Sequence, residues 1–179
     1  MTLTYALAVE ALAQCPAVPR TTLNQQPIHN CVVNPETPNN LVLIADDDSL
    51  VRGSLAAVLK FEGFEVDEAE NGIEAVSRAV QNVPDLVLLD LNMPMLDGWS
   101  AFAKLDRVQP LVPVIVITAR PNQYKEAVRL GVDAFMEKPL NIPILVRAIK
   151  YFSSEDENRH LRRITDPAFV TRLLSKNDS

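Results

Sequence analysis

The chain has 179 residues, of which 47% are hydrophobic, with a formal net charge of −6 and a sequence pI of about 4.9. This apolar content is enough for one domain of ordinary size together with extensions. The acidic balance provides no basic field to attract nucleic acid or an anionic membrane surface, and no apolar run approaches the roughly 20 residues of a membrane span. We therefore expect neither nucleic acid nor a membrane as a partner.

The first 40 residues differ in composition from the rest. Residues 16–40 are rich in Pro, Asn, Thr and Gln and show little apolar periodicity, which predicts a flexible N-terminal extension over 1–40. The chain's two cysteines, Cys15 and Cys31, both lie in this extension. Their spacing suggests neither a disulfide framework nor a zinc site. This use of cysteine fits a reducing, cytoplasmic location.

Strand and helix patterns alternate from residue 41 onward. LVLIA (41–45) is predicted to be a buried strand and FEVDEA (64–69) a weaker one. A helix follows each strand; Asp48 or Ser49 can cap the first helix, and Gly63 suits its end. The apolar residues at helical spacing are Leu50, Val51, Leu55, Val58 and Leu59 in the first helix and Ile73, Val76 and Val80 in the second.

Three further strand and helix units complete the pattern. Strands are predicted over DLVLLD (85–90), VPVIVIT (112–118) and AFMEK (134–138), of which the second is the richest in β-branched residues. The helices that follow them run from about Trp99 to Arg107, up to Gly131, and from Ile142 to Phe152.

Five alternating units predict the fold class. Parallel neighbouring strands need crossover helices, so the alternation indicates an α/β domain with helices on both faces of a parallel sheet. The fully apolar runs LVLI, LVLL and VIVI fit strands that are buried on both sides. We predict a flavodoxin-like, doubly wound sheet of five parallel strands in the order 2-1-3-4-5 over residues 41–153.

Charged and polar side chains stand where the predicted strands end. Asp46 and Asp47 follow the first strand, Asp90 ends the third, Thr118 the fourth and Lys138 the fifth. The reactive crevice of a doubly wound sheet lies beyond the carboxyl ends of its strands, so these groups should share one pocket. Crowded carboxylates repel unless a cation compensates, and Mg²⁺ prefers oxygen ligands.

Four motifs resemble the receiver domain of two-component response regulators: ADDDS, LLDLNMP followed by LDG, VIVITA, and FMEKP. The resemblance implies that Asp90 is the phosphoacceptor. It also implies that Asp47, Asp90 and the backbone carbonyl of Asn92 bind Mg²⁺ directly, while Asp46 contributes through water. The product would be an acyl phosphate, as in other aspartyl-phosphate proteins, and the protein would signal rather than act as an enzyme.

The resemblance also implies which residues respond to phosphorylation and switch the conformation of the domain. Thr118 and Lys138 would contact the phosphoryl group, and Phe135 occupies the position of the switch aromatic residue. The stretch from Thr118 to Lys138 is about two residues shorter than in many receivers, with the loss placed around ARPNQ at the start of the fourth helix. Arg120 and Asn92 occupy positions at which the family tunes hydrolysis of the phosphoryl group.

The C-terminal tail, residues 154–179, contains no helix-turn-helix pattern. Asp166 as N-cap and Pro167 at the first position favour a short helix over 167–175, which either docks on the domain or a partner, or frays. We therefore interpret the chain as a single-domain receiver. It would take its phosphoryl group from a histidine kinase or histidine phosphotransfer protein and act through protein contacts, with a homodimer left open.

Three other functions compete with this interpretation. A receiver-like adaptor would bind partners without phosphorylation. A phosphatase of the haloacid dehalogenase type would use Asp90 as nucleophile, but that chemistry needs a second acid where this chain has Asn92. A flavodoxin-like nucleotide carrier is disfavoured because three aspartates after the first strand would repel a phosphate.

Overall fold

The computed structural model describes residues 40–154, 165–166 and 169–175. The predicted N-terminal extension therefore lies almost wholly outside the described residues. The described part contains six strands and five helices in this order: β1 (Leu41–Ala45), α1 (Ser49–Phe61), β2 (Glu65–Ala69), α2 (Gly72–Gln81), β3 (Leu86–Asp90), α3 (Gly98–Val108), β4 (Val114–Thr118), α4 (Tyr124–Leu130), β5 (Ala134–Glu137), α5 (Ile142–Ser153) and β6 (Arg172–Leu173).

The strands form one parallel sheet with the order β2-β1-β3-β4-β5-β6. The predicted order of the first five strands is confirmed, as is the flavodoxin-like α/β class. Sequence order reverses beside β1, which has β2 on one side and β3 on the other. This is the topological switch point at which such sheets place their sites.

The core consists of two clusters of buried side chains that alternate along the strands. In β1, Val42 and Ile44 belong to one cluster and Leu43 and Ala45 to the other. Successive strand residues point to opposite faces, so the clusters lie on the two sides of the sheet. Helices α1 and α5 cover the first side, and helices α2, α3 and α4 cover the second. The central strands β3 and β4 are buried over their whole length, which explains their unbroken apolar sequence.

Capping residues mark the start of α1 and the end of α4. The N-cap of α1 is Asp48, whose side chain accepts hydrogen bonds from the backbone of Leu50 at 2.9 Å and of Val51 at 3.3 Å. The sequence left Asp48 and Ser49 open for this role, and the structure selects Asp48. Gly131 ends α4 in the left-handed region at a φ of 72°, where glycine is favoured.

The tail differs from the sequence-based expectation. The first two residues of the helix suggested over 167–175 lie outside the described residues, and within 169–175 Arg172 and Leu173 form a strand that pairs with β5. The spacing of apolar residues in this segment allows a helix, but the edge of β5 offers backbone partners that a local pattern cannot reveal. None of the helices within the described ranges is long and apolar enough to cross a membrane.

Candidate functional site

Three carboxylates meet at the carboxyl end of the sheet. Asp46, Asp47 and Asp90 each place a carboxylate oxygen within 4.8 Å of the others. Asp90 is the last residue of β3, and Asp46 directly follows β1, its parallel neighbour. Asp46 and Asp90 are only 0% and 3% exposed, whereas Asp47 is exposed. The predicted acid cluster is therefore present, with two buried carboxylates and one that faces solvent.

Backbone hydrogen bonds orient both buried carboxylates. The N–H of Asp48 donates to Oδ1 of Asp46 at 3.0 Å, and the N–H of Leu91 donates to Oδ1 of Asp90 at 2.7 Å. The second oxygen of each carboxylate is turned toward Lys138, whose Nζ lies 2.8 Å from Oδ2 of Asp46 and 3.3 Å from Oδ2 of Asp90. One ammonium group thus bridges the two buried acids.

The position of Lys138 at the end of β5 places its side chain in the site. Lys138 directly follows this strand, and its N–H donates to the carbonyl of Thr118 at 2.8 Å, which ties its backbone to the end of β4. Thr118 is the last residue of β4 and has no exposed surface. Its Oγ1 accepts a hydrogen bond from the N–H of Arg120 at 3.0 Å. The hydroxyl group of Thr118 can therefore still donate a hydrogen bond to an acceptor in the site.

Burial and neighbouring charges shift the pKa values of Asp46 and Lys138 in opposite directions. Burial raises the pKa of Asp46 above its ordinary value, although the hydrogen bonds from Lys138 and the N–H of Asp48 lower it. Burial by itself lowers the pKa of Lys138, but the hydrogen bond to Asp46 and the charges of Asp90 and Asp46 outweigh it and raise that pKa. Asp46 is the more deeply buried partner, so its desolvation cost is not fully offset by one ammonium group.

Two residues support the site in ways that were not identified from the sequence: Arg52 was not singled out, and Gly98 was quoted only as part of the LDG motif, without a role. Arg52 donates from Nη1 to the backbone carbonyl of Asp46 at 2.7 Å, and its Nε lies 3.5 Å from the carboxylate of Glu68. Arg52 therefore holds the backbone at Asp46 in place. Gly98 begins α3 so close to β3 that a Cβ atom there would lie 2.3 Å from the carbonyl oxygen of Asp90. A cation one turn into α1 and a glycine directly after Asp97 were the available signals.

Two side-chain hydrogen bonds connect the loop after β4 to the loop after β3 and to the start of α3. The side chain of Arg120 donates from Nε to the Asn92 side chain, and the indole N–H of Trp99 donates to Gln123 at 3.0 Å. Asn122, in the same loop, adopts a positive φ of 61°. Helix α4 starts only at Tyr124 and has seven residues. The shortened region predicted around ARPNQ thus forms a compact turn between β4 and α4.

The predicted switch residue Phe135 is part of the core. It lies in the middle of β5 and has no exposed surface. Its ring centroid is 5.9 Å from that of Tyr124, with the planes inclined by 53°. Phe135 therefore contacts the first residue of α4, the helix that follows the Thr118 loop.

The donor set fits a hard divalent cation. Three carboxylates within a few ångströms of each other, without a nitrogen or sulfur ligand among them, match the oxygen preference of Mg²⁺. Asn92 follows Asp90 by two residues in the loop after β3, where its backbone carbonyl is expected to act. A cation at this cluster would offset the repulsion between Asp46, Asp47 and Asp90.

Comparison with known proteins identifies the family. The family model of the response regulator receiver domain matches residues 42–150, more than half of the chain. The chain belongs to the response regulator receiver domain family. The match begins one residue into β1 and ends within α5, so it covers every element that contributes to the site.

The similar proteins include regulators and a chemotaxis protein. The transcriptional regulatory protein PrrA of Mycobacterium tuberculosis is 41% identical over 111 residues, which are 61% of this chain and 48% of PrrA. The chemotaxis protein CheY of Halobacterium salinarum is 37% identical over 111 residues, which are 60% of this chain and 92% of CheY. The chain matches about half the length of the first curated relatives.

Solved structures show the same fold. The response regulator TrrA of Thermotoga maritima, solved in complex with Mg²⁺ and BeF, is 28% identical with a TM-score of 0.59. The comparison covers 63% of this chain and 97% of TrrA.

Proposed function

We propose that this protein is a phosphoacceptor of a two-component system that takes a phosphoryl group onto Asp90 and signals through protein contacts. The observation that carries the proposal is the cluster of Asp46, Asp47 and Asp90 at one end of the sheet, with Lys138 between the two buried members. Membership of the receiver family supports it. We assign this role to the domain over residues 41–153.

The Mg²⁺ site uses the same acids. Asp47, Asp90 and the backbone carbonyl of Asn92 would bind the ion directly, and Asp46 would contribute through water. The ion, when bound, neutralises charge on the transferring phosphoryl oxygens and orients them. Among the similar proteins, TrrA was solved with Mg²⁺ and BeF, which supports a metal-dependent anion site of this kind.

The chain's own residues position the nucleophile. Oδ1 of Asp90 is held by the N–H of Leu91, which leaves Oδ2, the oxygen beside Lys138, to attack phosphorus. A phosphorus–oxygen bond forms at Asp90 while the phosphorus–nitrogen bond of a phosphohistidine donor breaks. Phosphoryl transfer depends mainly on in-line positioning and on charge stabilisation, and the Lys138 ammonium provides the second.

The switch begins with the groups that contact the new phosphoryl oxygens. Lys138 would exchange its bonds to Asp46 and Asp90 for bonds to the phosphoryl group, and Thr118 would donate its hydroxyl hydrogen. The loop after Thr118 leads to Tyr124, and Tyr124 contacts Phe135. A change at Asp90 therefore has a connected route to α4 and β5.

The donor's docking surface lies beside the site. An apolar groove of about 420 Å³ runs between α1 and the segment after β5, and its lining includes Leu50, Leu55, Lys138, Pro139 and Ile142. Leu50 is 80% exposed, although it belongs to the apolar set of α1. Such a groove accepts the apolar face of a helix. We propose that a helix of the histidine kinase or phosphotransfer protein binds here, in the cytoplasm, next to Asp90.

The experiment is incubation with Mg²⁺ and acetyl phosphate followed by intact-mass measurement. The parent chain should gain one phosphoryl group, and a chelator should prevent the gain. Asp90→Asn should gain none. Asp97→Asn is the matched control, since Asp97 is an exposed N-cap of α3 and asparagine caps equally well. Labelling of Asp90→Asn at the parent's level would overturn the assignment.

A further inference from the structure

The strand β6 lies outside the part of the chain that the receiver family shares. The family match ends at residue 150, and β6 comprises Arg172–Leu173. It pairs with β5 in parallel: the N–H of Arg172 donates to the carbonyl of Asp133 at 3.0 Å, and the N–H of Leu174 donates to the carbonyl of Phe135 at 2.8 Å. The tail thus fills an edge of the receiver sheet that would otherwise expose unpaired backbone groups.

Side chains anchor the same segment between α4 and α5. The hydroxyl of Tyr124 donates to the carbonyl of Thr171 at 3.0 Å, and Oγ1 of Thr171 donates to the carbonyl of Ala127 at 3.3 Å. Leu174 is 5% exposed and belongs to the core cluster that contains Ile144. The docked segment therefore depends on three elements at once: α4, β5 and α5.

Two of these elements, α4 and β5, are connected directly to the residues that we propose contact the phosphoryl group. Thr118 leads through a short loop into Tyr124 at the start of α4, and Lys138 directly follows β5. If Thr118 moves toward a phosphoryl group on Asp90, the start of α4 moves with it. The Tyr124 bond to Thr171 is already 3.0 Å long, and a displacement of well under 1 Å would take it beyond hydrogen-bonding distance.

The docked segment is also short enough to be released. It is a two-residue strand flanked by two buried side chains, Thr171 and Leu174, while its neighbour Val170 is 69% exposed. Small elements with few buried contacts open at low free energy. A modest change in α4 or β5 can therefore shift the equilibrium between docked and undocked tail.

We propose that the C-terminal segment 171–174 is an intramolecular strap that docks on the resting receiver and is released when Asp90 carries a phosphoryl group. This inference rests on the proposed function of Asp90. Release uncovers the β5 edge and the surface between Tyr124 and Ile144. The signal is then a newly exposed strand edge beside α4 and α5, which a partner can pair with.

Linkage makes the proposal quantitative. If an anion at Asp90 weakens tail docking by some factor, undocking the tail must strengthen binding of that anion by the same factor. Couplings of this kind are typically about 5-fold or more. The effect of the bound anion on tail docking and the effect of undocking on anion binding can be measured separately. If the anion weakens docking, undocking must strengthen anion binding.

The test uses the full chain and beryllofluoride with Mg²⁺ as the phosphoryl mimic. Fluorine NMR reports whether the mimic is bound, and amide hydrogen exchange follows Arg172 and Leu174. Protection of both amides should fall about 5-fold or more when the mimic binds. The amide of Val87, which donates to the carbonyl of Pro113 inside the sheet, is the internal reference and should keep its protection.

Variants test the reverse direction. Leu174→Asp should undock the tail and tighten mimic binding, and Val170→Asp should leave both unchanged because Val170 is exposed in the same segment. Tyr124→Phe removes only the hydroxyl that donates to Thr171, so it should loosen the tail even if Leu174→Asp fails to fold. Unchanged or increased protection of Arg172 and Leu174 with bound mimic overturns the strap alone. Absence of a bound fluorine signal overturns the proposed function and the strap with it.

Discussion

The ammonium nitrogen of Lys138 lies 2.8 Å from Oδ2 of Asp46, a carboxylate with no exposed surface. The same nitrogen lies 3.3 Å from Asp90. In this arrangement Lys138 serves as the counter-ion of a pocket built to hold more negative charge than one lysine compensates. The repulsion that remains, and the way a cation or a phosphoryl group changes it, can be tested directly.

Replacing Asp46 with Asn should stabilise the metal-free protein. The change preserves the shape of the side chain and removes a buried charge that is only partly compensated. In chelator at neutral pH we expect the variant to melt roughly 2 to 5 °C above the parent, the shift that about 1 kcal/mol causes in a domain of this size. Mg²⁺ stabilises the folded state that binds it, so the parent should gain more from added Mg²⁺ than the variant.

The matched control for this change is Asp48→Asn. Asp48 is exposed and caps α1, and asparagine caps equally well. Thermal melts across a Mg²⁺ titration should show the parent and Asp46→Asn curves converging, while Asp48→Asn follows the parent. A lower melting temperature of Asp46→Asn in chelator, with an undiminished response to Mg²⁺, would contradict the acid-pocket account.

The advantage of Asp46→Asn should also depend on pH. Because burial raises the folded-state pKa of Asp46 above its unfolded value near 3.8, protonated Asp46 favours folding. That stability is complete below the unfolded pKa and is lost as pH rises through the folded pKa. In chelator, the difference in unfolding free energy between variant and parent should grow from pH 4 to pH 7. A difference that is constant across this range, measured by urea titration, would exclude the burial effect.

Replacing Lys138 with Ala should separate phosphorylation from switching. The variant retains Asp46, Asp47 and Asp90, so it should still accept some phosphoryl group from acetyl phosphate. It lacks the ammonium group that we propose contacts the phosphoryl oxygens, and only contacts that differ between the two states shift a conformational equilibrium. The chain's single tryptophan, Trp99, donates to Gln123 in the loop before α4, so its fluorescence reports this switch.

We expect Lys138→Ala to lose most of the fluorescence change that beryllofluoride causes in the parent. Lys150→Ala is the control, because Lys150 on α5 pairs at 2.6 Å with Glu62, the residue directly after α1, outside the pocket. If Lys138→Ala retains the parent's full fluorescence change while mimic binding is verified, Lys138 is not the coupling residue.

Two glycines should respond oppositely to the same substitution. A Cβ at Gly98 would meet the backbone of Asp90 at 2.3 Å and of Leu91 at 2.5 Å, neither of which can move without disturbing the site. Gly98→Ala should therefore destabilise the protein by about 1–3 kcal/mol. Gly53 lies inside α1 with open space around it, and Gly53→Ala should stabilise by about 0.5–1 kcal/mol. Urea unfolding checks both; equal effects would show that close approach of α3 to β3 is unimportant.

The sequence predicted the fold and the acids for one physical reason. Apolar runs such as the one ending at Asp90 mark buried parallel strands, and parallel strands place their carboxyl ends side by side. The candidate site residues at the strand ends, including Thr118 and Lys138, therefore lie at the same edge of the sheet. The resemblance to receiver domains then gave each residue an expected role.

The remaining features depend on long-range geometry that a local pattern does not encode. Leu50 fits the apolar spacing of α1 but is 80% exposed, because it lines the groove beside Lys138 instead of the core. Arg52 acts through the backbone of Asp46, and no side-chain motif marks it. The tail has helical spacing, yet the free edge of β5 draws Arg172 and Leu173 into a strand.

The central claim is that Asp90 carries the phosphoryl group. Treatment of the phosphorylated chain with borohydride reduces an aspartyl phosphate to homoserine and releases phosphate, so peptide mapping then identifies the modified position. The account predicts homoserine at residue 90, dependent on both Mg²⁺ and acetyl phosphate, and unchanged aspartates at positions 46, 47 and 97. Homoserine at one of those positions, or at residue 90 without prior phosphorylation, would contradict it.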